Sequence, residues 1–349
     1  MKKRLGMSIL FLFALQALFA GGGAEKKEPA EINPQPRIIS CAKGFSLVLN
    51  TLYLFPEARE FLVALGKSSQ AGGSFTEYLD PGFQDKALFT MDVSAEEIAS
   101  HNPDWVVLKS YLTESLGAQI ENLGIKVLYV DLETPEQFSR DIIALGEIMN
   151  NPARARELVN YFDAGRKNII SQTDKLIPEK RPEVLFLYYN ARGGKVSFNV
   201  PPADWLQTIL VEWAGGRAVW KGQTVSKGWT EISFEQIAAW NPEYIFLVSY
   251  HGNVEEVKAS VLADPGWKNL KAVKDGKMLA FPGDYLSWDQ PDPRWILGLY
   301  WLASTMHPQI MSAAERDSEV REFFNFAWGI SETAFEGDIL PRITGDYRK

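Results

Sequence analysis

The residues of this 349-residue chain whose types and spacing point to chemistry are aromatic, and most of them stand just beyond stretches that read as strands. Tyr111, Tyr189 and Tyr250 each follow such a stretch. Trp229 precedes another, and Tyr285 and Trp288 lie in the segment Asp284-Tyr285-Leu286-Ser287-Trp288-Asp289 that follows a fourth. Loops at the carboxyl ends of α/β strands are where such a sheet opens to solvent and takes ligands. Ring faces there supply apolar area with little entropy to lose, which suits a flat or bulky molecule. Arg294 adds a charge-assisted contact for a carboxylate, hydroxamate or phosphate, and Trp205 stands at a predicted helix start. Core packing competes for each of these residues, and Trp240, Trp295 and Trp301 sit within helical apolar patterns that assign them to packing.

Other chemistries find little support. The histidines are His101, His251 and His307; His101 falls in an Asn-Pro turn and His307 after a long helix, which leaves His251, beside Tyr250, without partners for a metal cluster. The sequence holds no Gly-x-Ser-x-Gly elbow, phosphate-cradling Lys-Ser/Thr loop, His-Glu-x-x-His or spaced cysteine pair. Asp284, Asp289 and Asp292 are the carboxylates that a secreted glycoside hydrolase would need. Cys41 is the single cysteine, so no internal disulfide forms. A formal charge of −8 repels phosphate backbones and argues against nucleic acid as partner. With 46% hydrophobic and 23% charged residues the composition is that of a globular protein, and the length predicts about two domains.

A duplication organises those domains. The segment from Val93 to Leu108 reappears 139 residues later as Ile232 to Leu247, with seven of sixteen positions identical. Each copy reads as a serine-capped helix, a turn at Asn-Pro where the proline disfavours helix in the residue before it, and a buried strand. Glu96 and Glu235 fill the same slot of the two copies. Arg37 to Cys41, Lys126 to Val130, Val184 to Tyr188 and Met278 to Phe281 read as further strands, with helices between them. The pattern predicts an α/β fold of two lobes with mainly parallel central sheets. Between them, Pro152 to Ile177 carries Leu158, Val159, Phe162, Ile169 and Ile170 at helical spacing, long enough to join two lobes.

The amino terminus reads as an export signal. Met1-Lys2-Lys3-Arg4 precedes an apolar run from Ile9 to Ala20, too short to span a bilayer, and cleavage after Ala20 or Ala24 satisfies the small-residue rule. Leu18-Phe19-Ala20-Gly21 is followed by Gly22 where a lipoprotein box requires cysteine, so the expectation is a periplasmic molecule without a lipid anchor. The expected organisation is a signal peptide over 1–24, a flexible leader over 25–36, an N-terminal lobe over 37–151, a connecting helix over 152–178 and a C-terminal lobe with its tail over 179–349.

Taken together, the signal segment, the paired repeats, the long connecting helix, the stretch from Asp264 to Lys277 and Pro293-Arg294 resemble the helical-backbone substrate-binding proteins of ABC importers, in the branch that captures iron-siderophore complexes, haem and cobalamin. The resemblance implies a non-enzymatic binding protein, a monomer that carries no cofactor of its own. It implies a shallow inter-lobe cleft for a metal chelate, a ferric siderophore first and a corrinoid or haem next. As partner it implies a permease dimer with its cytoplasmic ATPase, on whose arginines Glu96 and Glu235 would dock. Tyr111, Tyr189, Trp205, Trp229, Tyr250, Tyr285, Trp288 and Arg294 are the expected ligand contacts. A secreted hydrolase and a non-transport sensor are the competing readings.

Overall fold

The computed structural model describes residues 33–66, 74–191, 194–223 and 228–348; the signal segment and most of the leader lie outside these residues. Strands β1 (Ile38–Ser40), β2 (Leu62–Gly66), β3 (Ala87–Phe89), β4 (Trp105–Lys109) and β5 (Lys126–Val130) form one sheet in the order β3-β2-β1-β4-β5, parallel throughout. Alternation divides its side chains: Ile38 and Val107 face one core, while Ile39, Val106 and Leu108 face another with Cys41.

The second sheet is built on β6 (Glu183–Asn190), β7 (Ser197–Val200), β8 (Arg217–Ala218), β9 (Thr230–Ile232), β10 (Tyr244–Val248) and β11 (Met278–Ala280). Its order is β11-β10-β6-β7-β9, with β8 also beside β6. β11, β10, β6 and β8 run parallel, and β7 and β9 add antiparallel strands. This is the expected α/β arrangement, with β2, β3, β7, β8 and β9 added to the strands legible in the sequence.

The two repeats agree in geometry as well as in sequence. Ser94 and Ser233 cap their helices by accepting from the backbone N–H of Glu97 and Gln236. Asn102 and Asn241 then take left-handed backbone, φ 48° and 43°. The turn is therefore made not by an extended pre-proline residue but by asparagine, which tolerates this region and ends the helix there. The acid after each proline ties its strand to the first strand of its own sheet. Asp104 N–H donates to Arg37 O at 2.8 Å and Glu243 N–H to Glu183 O at 2.8 Å. The carboxylates of Asp104 and Glu243 accept from the Arg37 and Glu183 N–H groups in return, at 2.8 and 3.4 Å.

A helix over Pro152–Thr173 joins the lobes, ending four residues before Ile177. Asn151 caps its start by accepting from Arg154 N–H, and Pro152 occupies the first turn, where no donor is needed. It packs on Pro135–Ile148 from the first lobe and on Leu206–Trp213 and Trp295–Met306 from the second. No described helix is long and apolar enough to cross a membrane.

The helix Trp295–Met306 approaches the loop before it very closely at Gly298. A Cβ there would lie 2.4 Å from the backbone oxygen of Trp288. Gly298→Ala is expected to cost about 1–3 kcal/mol, because backbone on both sides must shift; chemical denaturation would read it. Beyond the helix Ala313–Trp328, closed by Gly329 in left-handed geometry, the tail returns to the second sheet. Asp346 N–H donates to Ala280 O at 2.8 Å, and its carboxylate accepts from Ala280 N–H at 2.7 Å and pairs with Lys258.

Candidate functional site

The carboxyl ends of β6 and β10 bring four rings together. Tyr188, at the end of β6, lies 4.7 Å from Tyr250 and 5.0 Å from Trp229 between ring centroids. Trp229 stands 6.0 Å from Tyr250 and meets Trp205 edge-on at 5.7 Å. The Tyr250 hydroxyl donates to Asp289 Oδ2 at 2.5 Å, Gln207 Nε2 donates to the same oxygen at 3.2 Å, and the Ser287 hydroxyl donates to Oδ1. Burial raises the pKa of Asp289 while these donors pull it back. Burial and the Asp289 charge both push the Tyr250 phenol well above its ordinary value. Tyr250 is thus a neutral phenol whose proton is committed to Asp289, and it offers its ring rather than a phenolate oxygen.

The first lobe supplies the facing side. Lys109, buried at the end of β4, places Nζ 2.5 Å from Glu133 Oε1 and also donates to the Asp131 carbonyl. Tyr111 stands 61% exposed in the loop beyond. Its hydroxyl lies 2.9 Å from where a Cβ on Gly44 would be, and Gly44 itself has φ 78°, so a larger residue there would be strained.

Two cavities open at these strand ends. One of about 130 Å³ lies between the lobes, with Glu133 on one side and Trp205, Gln207, Trp229 and Tyr250 on the other. One of about 280 Å³ lies at the ends of β10 and β11, bordered by Ser249, Asn253, Tyr285, Ser287 and Thr344. Tyr250 and Gln290 line both.

Of the expected ligand contacts, the structure gathers Trp205, Trp229 and Tyr250 at the inter-lobe cavity and puts Tyr285 on the larger one. Tyr111 belongs to neither, standing on the first lobe. Tyr189 points away from this wall and packs on Phe198 at 5.9 Å. Its neighbour Tyr188 is the one that backs the wall, packing behind Trp229 and Tyr250, because successive strand residues face opposite sides; alternation along β6 was the available signal.

Arg294 and Trp288 are corrections: both are wholly buried. Trp288 packs edge-on against Tyr347 at 5.5 Å. Arg294 places Nε 2.7 Å from Asp284 and Nη1 2.9 Å from Asp292, and its guanidinium lies 4.1 Å from the Phe75 ring centroid and 4.7 Å from that of Trp328. A planar cation with two carboxylates at its edges and rings against its faces has its charge balanced without solvent, although Nη2 is left without a hydrogen-bond partner, and this holds it inside rather than at a ligand. Burial pushes the Asp284 carboxyl up and Arg294 holds it back.

His101 packs its ring on Phe89, His307 Nε2 lies 3.2 Å from Gly215 O, and His251 is exposed. Among the described residues no three His, Cys, Asp or Glu side chains are grouped to hold a metal ion. Glu96 and Glu235 are exposed near the starts of their matching helices, and the backbone N–H of Glu235 with the Ser233 hydroxyl lowers the Glu235 pKa.

Residues 83–285, more than half of the chain, match the family described as periplasmic binding protein. The chain belongs to that family. Its members are solute-binding proteins of transport systems rather than enzymes, and this chain is accordingly a substrate-binding component of an ABC importer, placed outside the cytoplasm. It is 24% identical to the molybdate-binding protein MolA of Haemophilus influenzae over 66% of this chain and 69% of MolA. It is 26% identical to the haem uptake protein IsdE of Staphylococcus aureus over 53% of this chain and 62% of IsdE. Its fold is that of MolA bound to molybdate, at a TM-score of 0.71 with 21% identity over 86% of this chain and 95% of that one. A periplasmic solute-binding protein from Veillonella parvula gives the same TM-score at 20% identity, covering 88% and 93%.

Proposed function

We propose that this importer component captures a metal chelate between its lobes, a ferric siderophore in the first place, and delivers it to a permease dimer through Glu96 and Glu235. The observation that carries the reading is the wall of Trp205, Trp229 and Tyr250, backed by Tyr188, facing Glu133. Such a surface holds a ligand by ring faces and apolar area. Haem, a flat chelate, is the second reading, supported by the likeness to IsdE. Cavities of about 280 and 130 Å³ leave least room for a corrinoid. The basic head and apolar run of residues 1–20 support export by a cleavable signal.

Titration of intrinsic tryptophan fluorescence with ferric hydroxamates, haem, cobalamin and molybdate tests the reading. One chelate is expected to quench at micromolar concentration or below, and Trp229→Ala is expected to weaken that response at least about tenfold, as removal of a central aromatic contact does. A response to molybdate alone would replace the chelate with an oxyanion.

A further inference from the structure

The lobes meet differently along the two edges of the cleft. On one edge, Asn50 of the first lobe donates through Nδ2 to Asp292 Oδ2 at 2.6 Å, and its carbonyl accepts from Trp328 Nε1 at 3.4 Å. Asp292 in turn holds Arg294, whose guanidinium lies over Phe75 of the first lobe. Contacts on this edge continue outward: Phe75 packs on Tyr285 at 5.2 Å, and the Tyr78 hydroxyl donates to Asp338 of the tail at 3.0 Å. On the other edge Glu133 faces Trp205 and Trp229 across the 130 Å³ cavity, and its bonds go to Lys109 and Gln137 of its own lobe.

We infer that the lobes are pinned along the Arg294 edge and swing at the aromatic edge, with Arg294 as the positioning residue that sets the aperture. The pin is stiff because Arg294 and its two carboxylates, all of the second lobe, hold Asp292 in place for Asn50 and the guanidinium face in place for Phe75; lifting the first lobe away would take a donor from a buried carboxylate and a ring from a buried cation. On the aromatic edge the bonds of Glu133 stay within its own lobe and a cavity separates it from Trp205 and Trp229, so parting these described side chains carries little polar cost. That this edge is where ligand enters rests on the proposed function; the swing itself does not.

Nitroxide labels read the swing on the ligand-free protein by pulsed electron resonance. One pair, Glu114→Cys with Asp204→Cys, uses exposed sites on the two lobes at the aromatic side; the other, Glu77→Cys with Gly337→Cys, uses exposed sites beside the pin, where a Cβ on residue 337 meets nothing. Cys41 is 2% exposed, with its thiol pushed up to about 12 by burial, and stays unlabelled. The expected result is a narrow distance distribution for the pin pair and a broad one for the other. Arg294→Met is expected to abolish the narrow distribution, with Arg294→Lys keeping part of it. Should Arg294→Met fail to fold, Phe75→Leu removes the ring contact with both carboxylates still paired, and is expected to broaden the pin pair. Equal widths in the unmutated lobes, or a pin pair that stays narrow in Arg294→Met or its substitute, would overturn the inference. Failure of the chelate titration with these widths unequal would remove the ligand and leave the pin.

Discussion

Arg294→Ala is expected to lower folding stability by about 3–5 kcal/mol, the cost of stranding buried charge. Asp284 and Asp292, both with side chains wholly buried, would keep their carboxylates and lose the cation between them. Asn50 would still donate to Asp292, but one neutral amide does not offset a carboxylate in such surroundings. The faces of Phe75 and Trp328 would also border a void. Equilibrium denaturation measures the loss. Its origin can be separated from packing by adding Asp284→Asn and Asp292→Asn to Arg294→Met, which removes all three charges while keeping their volumes. That triple variant is expected to recover much of the loss, since a buried ion cluster is often replaceable as a unit though not in parts. A triple variant as unstable as Arg294→Ala would assign the cost to packing.

The second large effect is on transport. Exchanging Glu96 and Glu235 together for arginine is expected to abolish uptake by cells while leaving ligand affinity unchanged. Both carboxylates are exposed and occupy matched slots near helix starts, so their removal disturbs no core. Two such charges on separate lobes give a partner both steering and register, and reversing them sets like charges against a basic surface. Uptake assays paired with fluorescence titration distinguish the cases: affinity lost together with uptake would place these glutamates at the ligand instead.

The repeat made most of the fold legible, because the serine cap, the Asn-Pro turn and the following strand are local signals that occur twice. The turn's backbone was misread for a physical reason. Proline restrains the residue before it, yet asparagine at a helix end takes left-handed geometry readily, and here the second tendency prevails. The short edge strands β3 and β9 lack a local signal because pairing rather than composition creates them. Within the site, Trp205, Trp229 and Tyr250 were legible from their places near strand ends and at a helix start. Arg294 was not: its surroundings come from Asn50, Phe75 and Trp328, and nothing in the neighbouring sequence records those contacts. The same holds for Trp288, which is enclosed by a tail some sixty residues away.

That tail also settles the fate of a sheet margin. β11 is the last strand on its side, and a terminal strand leaves donors and acceptors to which another chain can add itself. Asp346 answers Ala280 with both backbone and side chain, and its carboxylate is held in turn by Lys258. At Ala280 the ladder is therefore occupied from within, and a strand from another copy finds that position of the sheet margin already taken.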